Sequence, residues 1–295
     1  MKEKLTGNIY LIIAVLIWGS TFIAQSVGMD SVGPFTFLAL RCLLAVAFLL
    51  PVIAAFEAKD VKNYFRKWRN KKLWIGGTLC GIALFVAAGL QQVGLVDTDA
   101  GKAGFLTALY VVLVPVIGIF LGKKPSVNVI VSILLSVVGL YLLSCVGVTA
   151  IRTSDLLLLG SALSFAFQIT FVERLGNGLD GLRLNCIQCL VVTLLSAFFM
   201  FGVETPCLPD ILSCWLPIGY AGILSMGVAY SLQVLGQQRL EPTAASLIMS
   251  LESVVAAITG WLILKESMTV PELLGCALVF AAVILSQIPT KRKKA

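Results

Sequence analysis

The sequence predicts an all-α polytopic membrane protein of ten transmembrane helices, arranged as two inverted five-helix repeats. Three observations predict it. Hydrophobic residues make up 59% of the 295 positions and charged residues only 13%, against roughly a quarter charged in an ordinary soluble domain. The apolar residues gather into ten stretches of about 20, the length a helix needs to cross a ~30 Å hydrocarbon core. Those stretches also match one another, five against five.

The spans lie near 8–25, 34–55, 74–92, 101–121, 126–145, 155–174, 182–202, 215–235, 243–264 and 270–288. Hydrocarbon offers the backbone no partner, so each must be a helix. The first follows Lys2 and Lys4 but outruns a signal-peptide core, and no A-x-A-like cleavage site follows it, so it is expected to be retained. The second carries Arg41. The basic 56–73 segment after it is the longest connection, which leaves no room for a soluble domain. Pro115, late in the fourth span, removes a helical hydrogen bond and predicts a kink there. Its counterpart Ala257 predicts none, so the halves should differ in flexibility at that level. Glu173 and Arg174, near the inner end of the sixth span, are expected to pair at the interface. Cys207 and Cys214 share the loop between spans seven and eight, where a disulfide is one option. In the ninth span Ser246, Ser250, Ser253, Ala257 and Gly260 form one stripe of small residues that lets a neighbouring helix approach.

The charges orient the bundle. With both termini in the cytoplasm, 18 of the 22 Lys and Arg residues fall inside and only Lys102, Arg152 and Lys265 outside, with Arg41 in a span. The positive-inside rule favours that orientation. The net charge of +7 is then explained by topology and by anionic lipid headgroups beside Lys59–Lys72 and Lys291–Lys294. No nucleic-acid partner is expected.

A shift of 147 residues aligns spans one and two with six and seven: Trp18 meets Phe165, Arg41 meets Gln188 and Cys42 meets Cys189. A shift of 142 aligns spans three to five with eight to ten: Gln91 meets Gln233, Gly94 meets Gly236, Gly118 meets Gly260 and Lys123 meets Lys265. Five is odd, so the second half enters the membrane from the opposite side. That is a recurring plan in secondary transporters.

The opening Ile17–Phe22 (IWGSTF), the run Ala100–Pro115 and the run Ser250–Glu266 resemble those of EamA-type transporters, in the drug/metabolite transporter superfamily. The resemblance covers essentially the whole chain. It implies two EamA-like repeats, 1–150 and 151–295. It also implies a central cavity surrounded by helices one to four and six to nine, with five and ten more peripheral. The activity it implies is secondary transport, often export of amino acids, metabolites or drugs. Gly122-Lys123-Lys124 departs from the Gly-Glu that such proteins often carry there, whereas the second half keeps Lys265-Glu266.

Polar residues deep in spans are expensive, so they mark sites or pairings. Glu252 is the one acidic residue near the middle of a span. It could bind a cationic solute group, carry a proton as the coupling residue, or bond across to a neighbouring helix as a neutral acid. Its repeat partner Tyr110 offers a hydroxyl at matching depth. Arg41 could pair with Asp30, Asp97 or Asp99, snorkel, or touch solute. Gln91 and Gln233 are favoured for a hydrated path over Gln92, Gln168, Asn185, Gln188 and Gln237, because the repeat makes the pair equivalent. Trp18 and Phe165 fall mid-span, below the headgroup belt, as solute surfaces or as core. The candidate cavity lining is therefore Trp18, Gln91, Tyr110, Phe165, Gln233 and Glu252.

There is no histidine, which excludes His-based metal sites, His proton relays and H-E-x-x-H proteases. Gly101-Lys102 lacks the rest of a phosphate loop, so direct ATP drive is not expected. Cys186 and Cys189 have no partners for zinc. No cofactor, metal or enzymatic activity is expected. The sequence thus points to a secondary transporter, an exporter of a small organic solute, in a bacterial plasma membrane. A non-transporting scaffold and a lipid-modifying enzyme remain as alternatives. Solute identity and oligomeric state stay open.

Overall fold

The computed structural model describes residues 2–58, 61–98, 100–144, 152–264 and 269–288. Lys59, Asp99, Lys265, Glu266 and Lys291–Lys294 lie outside the described residues. In chain order the helices are α1 (Lys2–Met29), α2 (Pro34–Phe56), α3 (Val61–Trp68), α4 (Lys71–Val96), α5 (Ala100–Ala108), α6 (Tyr110–Phe120), α7 (Val127–Ser144), α8 (Thr153–Gly176), α9 (Gly181–Val203), α10 (Leu208–Ser213) and α11 (Trp215–Gly219). A π-helical segment, Tyr220–Ala229, follows, and then α12 (Tyr230–Gln237), α13 (Pro242–Met249), α14 (Leu251–Leu264) and α15 (Val270–Gln287).

Among the described residues, nine segments are long and apolar enough to cross a membrane. Where a fifth span is expected, the described residues form a shorter apolar helix, Val127–Leu143. Large apolar side chains such as Leu43, Ile75, Leu134, Phe198 and Ile284 are exposed on the outside of the bundle. Such a surface suits acyl chains rather than water.

Two spans are interrupted. The fourth breaks at Leu109, between α5 and α6, and the ninth at Ser250, between α13 and α14. Pro115 lies within α6, six residues past the interruption at Leu109, and Ala257 lies within α14, seven past the one at Ser250. Both breaks are short 3₁₀-like steps: Val112 N–H donates to Leu109 O at 3.0 Å, and Ser253 N–H to Ser250 O at 3.4 Å. The eighth span contains the π segment. Its wider turns leave carbonyls off the ordinary ladder, and buried Asn185 of α9 meets two of them, donating to Met226 O at 2.9 Å and Gly227 O at 3.3 Å.

The packing places the interrupted spans against uninterrupted ones. α4 lies along α8, while α1 lies along the π segment and α12. α5 and α6 contact α8, and α13 and α14 contact α1. α2 pairs with α9, and α7 with α15 at the periphery. The last pair crosses at glycine. A Cβ on Gly275 would stand 2.5 Å from Gly139 O, so any side chain would force the helices apart.

The α2–α9 pair is fastened at both ends. At one end Glu204, after α9, accepts from Phe35 N–H and Thr36 N–H at 2.8 Å each and from Thr36 Oγ at 2.6 Å, capping the first turn of α2. At the other, Glu57, after α2, meets Arg183 in the first turn of α9 at 2.5 Å. Arg183 also pairs with Asp180 at 2.6 Å and lies 5.3 Å from the ring centroids of both Tyr64 and Trp68. Lys67 adds bonds to Glu57 and Asp180, which seats α3 on the bundle. The bonds from Arg183 and Lys67 hold the Glu57 carboxyl down at about 2.

Glu173 makes an ion pair of the kind expected for it, with Lys123 at 2.8 Å. Arg41 turns into the bundle, only 3% exposed, and neither Asp30 nor Asp97 pairs with it. Cys207 and Cys214 are free thiols, the first exposed and the second buried.

Candidate functional site

One internal cavity, about 520 Å³ including its mouth, lies between the two halves of the chain. It is lined by Trp18, Gln91, Tyr110, Phe165, Gln233 and Glu252 together, and Arg41 also reaches its wall. The interrupted spans deliver two of these residues. Tyr110 is the first residue of α6 and Glu252 the second of α14, each just past its break. Tyr110 Oη donates to Glu252 Oε1 at 2.9 Å, so two residues 142 positions apart, matched by the sequence shift of 142, bond directly to one another.

Aromatic rings form two sides. Trp18 meets Tyr230 edge-on at 4.9 Å between centroids, and Tyr110 meets Phe165 at 6.4 Å. Such edge-to-face pairs set ring orientation more firmly than area burial alone. The remaining groups are uncharged except at two points. Gln91 Nε2 donates to Thr107 Oγ at 3.4 Å, and Gln233 Nε2 to Gln168 Oε1 at 3.2 Å. Gln168 continues to Gln188 at 3.0 Å, so that pair serves as a bridge behind the wall. The charged points are Arg41 and Glu252. Arg41 Nη1 donates to Gln25 Oε1 at 2.6 Å.

The sequence pattern did not single out Thr21, Gln25, Thr107, Ser225 and Tyr230, which also line the cavity. Their one legible signal is period: Thr21 and Gln25 continue the Trp18 face of α1 at three- and four-residue steps. Ser225 and Tyr230 carry none, since the π segment shifts which side chains share a face.

The model of the EamA-like transporter family matches residues 5–145 and, again, residues 152–287. The chain belongs to the EamA-like transporter family. Relatives share its full span. An uncharacterized transporter of Archaeoglobus fulgidus is 31% identical over 96% of this chain and 86% of its own. The threonine/homoserine exporter RhtA of Escherichia coli K12 is 26% identical over 97% and 92%. A solved crystal structure superposes with a TM-score of 0.79 at 19% identity, covering 95% of this chain and 96% of its own, which shows the same fold. The family and its named members make this a multi-pass membrane transporter of the drug/metabolite superfamily, acting on a small solute. The peripheral position expected for spans five and ten agrees with the α7–α15 pair at the edge of the bundle.

Proposed function

We propose that this EamA-family protein is a secondary transporter that exports a small organic solute across the plasma membrane by alternating access, with the cavity as its binding site. One observation carries the reading. The lining comes in repeat-equivalent pairs, Trp18 with Phe165, Gln91 with Gln233 and Tyr110 with Glu252. A site shared equally by two inverted halves can be exposed to either side by exchanging their conformations.

Further features support ten spans in two inverted repeats, 1–150 and 151–295. The family model matches the chain twice. The helix pairings also come in equivalent sets: α4 on α8 answers α12 on α1, and α5–α6 on α8 answers α13–α14 on α1. The excess of Lys and Arg argues for cytoplasmic termini. The named amino-acid exporters among the relatives, and a cavity mixing rings with a few hydrogen-bonding groups, favour amino acids or similar metabolites. Glu252 is the coupling candidate, since a carboxyl whose surroundings alternate between wet and dry can bind a proton on one side and release it on the other.

Proteoliposomes loaded with a solute panel test the reading. Counterflow of at least one amino acid or metabolite is expected, cut roughly a hundredfold by Glu252→Leu. Absence of any flux would favour a scaffold, and turnover of labelled lipid an enzyme. Reporter fusions after Lys124 and the C-terminus should read cytoplasmic, and one after Asp210 external.

A further inference from the structure

We propose that Arg41 anchors a carboxylate of the transported solute, so that the cavity selects amino-carboxylate zwitterions. The inference rests on the carrier reading above and names its solute class. Two buried arginines of this chain make the case by contrast. Arg183 is 1% exposed and has two carboxylates, Glu57 and Asp180, at 2.5 and 2.6 Å. Arg41 is 3% exposed, yet among the described residues no carboxylate lies within ion-pair distance of it. Its protein contacts are the amide oxygen of Gln25 and the Phe37 ring, 5.6 Å from the guanidinium carbon.

A guanidinium has five N–H donors, and leaving one buried without a counter-charge is costly unless something else supplies it. Among the described residues the Nε of Arg41 has no acceptor, and neither does the indole Nε1 of Trp18, another cavity residue. Arg183 Nε is unbonded too, but its charge is met by two carboxylates. Both cavity orphans are donors, as an anion requires. The complementary set belongs to other wall residues. Glu252 supplies a carboxyl group, and Gln233 Oε1 is a buried acceptor with no donor among the described residues. A solute with a carboxylate for Arg41 and an ammonium for Glu252 and Gln233 satisfies both sets, while its side chain meets the rings of Trp18, Tyr230 and Phe165.

Other oxyanions fit less well. A phosphate dianion would find one cation and would share the cavity with Glu252. A planar carboxylate matches the guanidinium fork.

The test uses the full-length protein in liposomes, with two readouts: equilibrium binding and counterflow of labelled probes. The probes are L-threonine, L-leucine and L-phenylalanine, their carboxamides, and the phosphate monoester glycerol 3-phosphate. Among the acids, at least one should bind and exchange about tenfold or more better than its amide, the scale of one charge-assisted contact. Arg41→Gln should remove that preference by weakening the acid and sparing the amide, and Arg41→Lys should restore part of it. Retention of the amide signal, with unchanged gel-filtration behaviour, shows that the variants fold. Acid binding that depends on Arg41 without exchange would support the site while refuting the carrier reading. Amides moving as well as acids, glycerol 3-phosphate preferred, Arg41→Gln discriminating like the wild type, or no probe binding would each overturn the assignment.

Discussion

The α2–α9 pair and the two interrupted spans answer the cost of a membrane interior in opposite ways. α2 and α9 run unbroken and are fastened at both ends, by Glu204 on the first turn of α2 and Glu57 on Arg183 of α9. Glu57 and Glu204 are 147 positions apart, as are Thr36 and Arg183, so under the proposed repeat the two fastenings are counterparts with different chemistry. The fourth and ninth spans instead break beside the cavity and meet through one hydrogen bond, Tyr110 to Glu252. The difference separates a fixed frame from a working seam. The charges of the frame are met by opposite charges or by helix N–H groups. The polar groups of the seam sit at the cavity with one bond between them.

The largest effect should come from the seam. Glu252→Leu leaves the Tyr110 hydroxyl without its acceptor and should cut exchange roughly a hundredfold, the equivalent of about 2.8 kcal/mol. Glu252→Gln keeps an acceptor but cannot ionise. It should abolish proton-driven accumulation in liposomes while leaving measurable exchange, and full accumulation would remove Glu252 from coupling. In the frame, Arg183→Met leaves Glu57 and Asp180 with Lys67 as their remaining cation and should destabilise the protein by about 3 kcal/mol, read by unfolding in mixed micelles. Exchange per folded molecule should persist, and its loss would dissolve the distinction between frame and seam. Glu204→Gln should cost less, about 1 kcal/mol, since an amide still caps the turn without the charge.

The smallest effect concerns acid. Glu57 ionises more readily in the folded protein than the ordinary value of 4.5, down to about 2, because Arg183 and then Lys67 bond it. Its contribution is therefore complete above pH 4.5 and lost as pH falls through about 2. Fluorescence of Trp68, which lies against Arg183, should shift in that window. The shift should be absent from Trp68→Phe and from Glu57→Gln.

Much of the cavity lining was legible because the matching shifts of 147 and 142 act as a filter. Apolar helices buried on most sides carry little facing information, but requiring a polar or aromatic partner at the same depth in the other half selected Trp18, Gln91, Tyr110, Phe165, Gln233 and Glu252. The same filter at the span ends pairs Glu57 with Glu204, a signal present in the sequence yet easy to discount as interfacial charge. The breaks at Leu109 and Ser250 were not legible, since neither has proline or glycine at the break itself. Pro115, six residues past the first interruption, does not mark it. The π segment also lacks a local mark. It depends on Asn185 of another helix, and tertiary partners of that kind have no period. Arg41 was visible as a charge in a span, but its lack of a carboxylate partner is a property of packing alone.

The central claim is that the cavity between the halves is where solute binds and from which it is released to either side. It is tested most directly by cysteine accessibility at the equivalent positions Trp18 and Phe165 in a cysteine-free background. An impermeant thiol reagent is applied from one face of the membrane at a time, with and without a transported amino acid. Reaction at both positions from both faces, slowed by the solute, is the predicted result. Cysteines that stay unreactive, or that react equally with and without solute, would contradict it.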